Sequence, residues 1–123
     1  MRQVIYKELS YQIIGLAMEV HNELGFGFLE KVYENALMVL LERERLEAKQ
    51  QHPIKINFCD EVVGDYIADI LVEDKIILEL KVVDKIIGIH KAQVLNYLKA
   101  TNTKLGFILN FKNKKLEFER LVL

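Results

Sequence analysis

Tyr66-Ile-Ala-Asp69-Ile-Leu-Val-Glu-Asp-Lys-Ile-Ile-Leu-Glu79-Leu-Lys81-Val-Val83 decides how this chain is read. Apolar residues crowd both sides of the Glu73-Asp74-Lys75 break, the pattern of two adjacent strands joined by a turn. Asp69, Glu79 and Lys81 interrupt that core-like run. Charges inside a sheet are costly unless something compensates them. Two carboxylates converging on one point repel each other, and one lysine neutralises only one of them. A divalent cation resolves the conflict, and hard oxygen ligands suit Mg²⁺ or Mn²⁺. The hairpin is therefore a candidate metal site.

Register decides whether that site exists. Side chains alternate faces along a strand, so Glu79 and Lys81 share a face while Leu80 points away. A two-residue turn at Glu73-Asp74 sets Asp69 opposite Leu78 and leaves Glu79 on the other face. An odd-length loop centred on Asp74 sets Asp69 opposite Glu79. The loop is expected to be odd. The Glu-x-Lys triplet by itself is a weak signal, because it also occurs at Glu47/Lys49 and Glu73/Lys75. Only Glu79/Lys81 lies within an apolar strand. The alternative is an internal salt bridge at a solvent-exposed strand end.

Downstream, the spacing predicts a helix from about Gly88 to Lys99. His90, Gln93 and Tyr97 line one side of it at i, i+3 and i+7. An imidazole, an amide and a phenol there can orient a carboxylate or hold a phosphate, although a polar stripe is more often solvated surface. Lys91 and Lys99, on other faces, are candidates for phosphate contact. A strand at Leu105–Phe111, a turn at Asn113-Lys114 and a last strand at Leu116–Leu123 complete the chain.

Upstream, Ser10 reads as the N-cap of a helix carrying Ile13, Ile14, Ala17, Met18, His21 and Leu24 at helical spacing. Gly25-Phe-Gly27 ends it. A second helix has Leu29, Val32, Tyr33, Ala36, Leu37, Leu40 and Leu41 on one stripe and ends in the charged run 42–45. Glu30 falls in its first turn, where the helix dipole favours a carboxylate. Glu30 and Tyr33 are i, i+3 neighbours that can face one cleft. His21 reads as a satisfied core histidine. After Pro53, Ile54, Ile56 and Phe58 alternate with polar residues, the pattern of an edge strand. Cys59-Asp60-Glu61 reads as a turn. The order is α-α-β-β-β-α-β-β, a mixed α/β (α+β) domain with layers on both faces of its sheet.

At 123 residues the chain is the size of one domain. Its 18 acidic and 17 basic residues give a net charge of −1, so phosphate binding requires a local patch. Cys59 is alone, which excludes an internal disulfide and points to a reducing cytoplasm, with the thiol expected buried and inert. No apolar run approaches the roughly 20 residues that span a bilayer, and residues 1–8 lack a signal-peptide pattern. Dinucleotide, P-loop and His-Glu-x-x-His motifs are absent.

Separated motifs resemble one family in order. Gly27-x-x-Glu30-x-x-Tyr33 resembles the signature of the bacterial GxxExxY family. So do the preceding Ile13–Gly25 segment, Ile89-His90-Lys-Ala-Gln93-Val-Leu-Asn-Tyr97-Leu, and Gly106-Phe-Ile-Leu-Asn110-Phe. The resemblance covers roughly residues 10–123. That family is grouped with the PD-(D/E)XK nucleases, whose restriction-endonuclease-like core is α-β-β-β-α-β. The resemblance implies Asp69 and Glu79 as acidic metal ligands with the Leu80 carbonyl, Lys81 as the signature lysine, and Glu30 as a supplementary ligand. It implies Gln93 and Tyr97 as the Gln-x-x-x-Tyr motif of exonuclease branches. Ala68 stands where the superfamily name has proline. The expected function is a Mg²⁺- or Mn²⁺-dependent phosphodiesterase acting on DNA or RNA. The alternative is a catalytically silent module of the same fold that binds nucleic acid or protein. A homodimer through the Ile54–Phe58 or Leu116–Leu123 edge is a further expectation.

Overall fold

The computed structural model describes residues 4–123. Its elements follow the expected order: α1 (Lys7–Leu24), α2 (Glu30–Arg43), β1 (Ala48–Phe58), β2 (Glu61–Val72), β3 (Ile76–Lys81), α3 (Gly88–Thr101), β4 (Leu105–Asn110) and β5 (Glu117–Val122). Among the described residues the strands form one mixed sheet in the order β1-β2-β3-β4-β5. Only the central pair β3–β4 is parallel, as the α3 crossover between them requires. β1, as its alternating Ile54–Phe58 pattern predicts, and β5 are the edges.

Two cores sandwich the sheet. On one face α1 and α2 cover Ile70, Val72, Ile76, Leu78, Leu80 and Phe107. On the other, Val94, Tyr97 and Leu98 of α3 cover Leu71, Ile77 and Ile108. This two-sided burial explains why β3 and β4 are apolar at nearly every position. Among the described residues no helix is long and apolar enough to cross a membrane.

The structure corrects several local expectations. The first helix starts at Lys7, so Ser10 is not its cap; it lies inside the helix, buried, with its Oγ unpartnered among the described residues. The buried stripe of α1 runs through Ile13, Leu16, Ala17, Val20 and His21, while Met18 is exposed. Apolar residues cover so much of this helix that pattern alone does not choose a stripe. Leu29 and Val32 are exposed on α2, and Met38 is buried instead. His21 is a core histidine as expected, with Nε2 donating to the Asn113 carbonyl at 2.7 Å.

Cys59 is exposed, not buried. It forms the β1–β2 turn with Asp60, both at positive φ (51° and 64°). Such a mirror-image turn suits the twist of a two-residue hairpin. A turn at the tip of a two-stranded arm has nothing to bury its side chain against.

Candidate active site

The loop between β2 and β3 determines the site. Glu73 and Asp74 both take φ 54°, and the Lys75 N–H returns to the Val72 carbonyl at 2.9 Å. That is a tight turn followed by one extra residue, because the ladder pairs Val72 with Ile76, Leu71 with Ile77 and Ile70 with Leu78. Three residues separate the partners, so the loop is odd, as expected. Extending the register by one step brings Asp69 opposite Glu79.

The ladder stops one step short of them. Beyond Ile70↔Leu78 the two strands part, and the carboxylates replace the missing backbone acceptors. Leu80 N–H donates to Asp69 Oδ2 at 2.8 Å, and Asp69 N–H donates to Glu79 Oε1 at 3.1 Å. Since the N–H and C=O of one strand residue point to the same edge, the Leu80 carbonyl faces the same gap. Glu79 and Lys81 lie on the α3 side of β3, in phase with Ile77.

A second irregularity shapes the gap. Ile70 and Val72 face α1 and α2, yet Ala68 packs on the α3 side, although strict alternation would put all three together. The inversion falls at Asp69. On β1 it falls at Gln51, which the ladder skips between Gln50↔Ile70 and His52↔Ala68 and which has φ 56°. Strand pleat is thus broken at the position where a carboxylate turns toward its neighbour strand.

Glu34 stands behind this break. It is 3% exposed on α2, where Lys31 Nζ donates to it at 2.9 Å and Gln51 Nε2 at 3.0 Å, with Gln50 Nε2 as a further donor. Sequence reasoning missed it. The signal was present: position 34 shares a helical stripe with Leu37, Met38 and Leu41, so its charge was bound for the interior.

Burial and mutual repulsion govern the acids. Burial and then the Asp69 charge push the Glu79 carboxyl up to about 8, against the Asp69 N–H and Lys81. Asp69 is raised too, first by burial and then by the charges of Glu34 and Glu30, against the Leu80 N–H and Lys81. Lys81 is half-buried and makes none of the ion pairs found among the described residues. The pocket therefore holds more carboxylate than one lysine balances.

The other expected site residues divide. Tyr97 is buried beside the acids: burial, then Glu79, raises its hydroxyl, and Gln93 Nε2 donates to it at 3.0 Å. Glu30 is exposed at the start of α2 and reaches Asp69 through its charge. His90 Nδ1 accepts the Ile87 N–H at 3.1 Å and so caps α3, while its ring lines the groove beside that helix. Tyr33 does not join the site. It is fully buried, stacked on Phe111 at 4.6 Å, and its hydroxyl donates to the Gly25 carbonyl (2.7 Å) and accepts the Phe28 N–H (3.2 Å). Its hydroxyl fastens the loop before α2, which turns the ring away from any cleft shared with Glu30.

The donor set fits a hard divalent cation. Asp69 and Glu79 each commit one oxygen to a backbone N–H, and the two carboxyls lie within hydrogen-bonding reach of each other. No three His, Cys, Asp or Glu side chains among the described residues form a metal-holding group; the oxygens at the gap are those of the two carboxylates and, by strand geometry, the Leu80 carbonyl. Mg²⁺ commonly takes few protein ligands and retains water.

Comparison with known proteins places the fold. Residues 7–121 match the family described as the PD-(D/E)XK nuclease superfamily. Among solved structures, the crystal structure of SSO0001 is similar at a TM-score of 0.59 and 20% identity, over 76% of this chain and 50% of that one. The chain thus spans half the length of that protein, and the likeness concerns fold alone. No match was found among curated proteins. Since the family match runs over nearly all of its length, this chain belongs to the PD-(D/E)XK nuclease superfamily.

Proposed function

We propose that the chain is a Mg²⁺- or Mn²⁺-dependent phosphodiesterase acting on DNA or RNA, of the GxxExxY branch. Its superfamily is typically metal-dependent. One observation carries the reading: Asp69 and Glu79 meet where β2 and β3 part, each held by the other strand's backbone. Asp69, Glu79 and the Leu80 carbonyl would hold the cation, with Glu30 adding charge at the mouth. When bound, the cation supplies Lewis acidity to the phosphoryl group. Lys81 positions the attacking water and stabilises charge that develops on phosphorus-bound oxygens. Gln93 orients the Tyr97 hydroxyl, which is placed to contact a phosphate. The test is cleavage of labelled single- and double-stranded substrates with Mg²⁺ or Mn²⁺ by the wild type and by Glu79→Ala. Cleavage by the wild type alone is expected; equal cleavage by both removes the assignment.

A second reading, a catalytically silent module of the same fold, draws on the two-carboxylate donor set and the net charge of −1. Calorimetry separates the two readings. Millimolar or tighter binding of a divalent ion, abolished by Asp69→Ala, supports the enzyme, and no heat supports the module.

A further inference from the structure

A groove of about 710 Å³ runs between α3 and the β1–β2 arm. Its lining is more apolar than polar, with Ile56 and Ile89 beside Lys55, Asn57, Asn96 and Lys99, and no carboxylate lines it. In a chain with 18 acidic residues to 17 basic ones, that is a local departure from the average. Tyr66 forms part of the wall, 48% exposed, with its ring 5.8 Å from that of Tyr97. Across from it, Gln93 and Tyr97 line the α3 wall, and Tyr97, whose hydroxyl feels the Glu79 charge, marks the inner end of the groove.

We propose that this groove is a path for single-stranded nucleic acid: it holds a few unpaired nucleotides, with phosphates toward Lys99 and Lys55 and a base stacked on Tyr66. The proposal rests on the phosphodiesterase reading only for what happens at the inner end. Size argues for a single strand, because a volume of this order encloses a drug-sized ligand rather than a duplex. Charge argues the same way. Proteins that grip duplex DNA through its backbone make about 6–10 phosphate contacts. Here two lysines face the groove, and Lys55 is shared with Asp65 at 2.9 Å. A low-charge groove with an exposed ring instead suits stacking, which tolerates any base.

Anisotropy titrations in EDTA test this without cleavage. The probes are fluorescein-labelled 12-mers of oligothymidylate and oligouridylate, and a 12-base-pair DNA duplex. Single strands are expected to bind at least tenfold tighter than the duplex, and the two homopolymers separate a DNA from an RNA preference. The slope of log K against log salt is expected near about −1.4, from roughly −0.7 for each of two phosphates. Lys99→Ala should reduce that slope by about 0.7. Tyr66→Ala should weaken binding roughly 5- to 150-fold with the slope unchanged. Melting curves of both surface variants control for folding. Equal or tighter duplex binding, no binding of any probe at 100 µM protein, or unchanged affinity in both variants overturns the proposal. Single-strand binding without cleavage in Mg²⁺ leaves the groove and removes the enzyme; cleavage of duplex alone does the reverse.

Discussion

Replacing Glu79 by glutamine should stabilise the cation-free protein, and increasingly so as pH rises. The wild-type carboxyl is pushed from its ordinary 4.5 to about 8 by burial and by Asp69. In the unfolded chain the same group ionises near 4.5, so between the two values the unfolded state has released a proton that the folded state keeps. The unfolded state binds fewer protons there, and stability falls as pH rises through that window. Below about 4.5 the penalty is absent, and above about 8 it is complete. The full shift is worth about 5 kcal/mol at 1.36 kcal/mol per pH unit, a ceiling because Asp69 titrates with it. An amide oxygen at this position can still accept the Asp69 N–H, so Glu79→Gln removes the charge and keeps the hydrogen bond. Thermal melts in EDTA at pH 4.5 and pH 8.5 read the effect. The variant should match the wild type within about 1 kcal/mol at the lower pH and exceed it by roughly 2–5 kcal/mol at the higher, a Tm gain on the order of 10 °C. A variant less stable than wild type at pH 8.5, or an offset independent of pH, would refute the reasoning.

Three further substitutions probe what holds the site in place. Asn110→Ala should cost about 2–4 kcal/mol in urea melts, because fully buried Asn110 satisfies both the Val83 N–H (3.1 Å) and the Val83 carbonyl (2.8 Å). Tyr33→Phe should cost about 1–2 kcal/mol by freeing the Gly25–Phe28 loop, with divalent-ion binding by calorimetry unchanged. Gly106→Ala should cost about 1–3 kcal/mol, since a Cβ there would stand 2.9 Å from Val94 Cγ1 and 3.3 Å from the Ile77 carbonyl. Its melting temperature measures how tightly α3 must seat on β4.

The order of elements was legible because the hydrophobic period changes near Gly25 and Gly88; the change read at Pro53 falls inside β1, which already begins at Ala48 and pairs Pro53 with Ile67. Meeting of the two acids was legible as a consequence of loop parity, and the extra residue Lys75 supplies that parity. Finer features were not. The pleat inversion at Gln51 and Asp69 breaks the rule by which faces are read from a strand, so positions before and after it cannot be assigned by one alternation. Glu34 was hidden because a glutamate on a helix is usually taken as solvated, and its partners Gln50 and Gln51 lie on another element. Tyr33 shares the spacing of a cleft residue with Glu30, but three residues leave the two side chains about 60° apart around the axis, and that offset carries the ring into the core while Glu30 stays exposed. Cys59 was placed in a turn and expected to be buried; the exposed hairpin tip allows only the first.

The central claim is that Asp69 and Glu79 share one divalent cation. A crystal soaked in Mn²⁺ and measured at the manganese edge tests it most directly. The expected result is one anomalous peak touching a carboxylate oxygen of each residue, lost in Asp69→Ala. A map with no peak between them, or with manganese held only elsewhere on the surface, would contradict it.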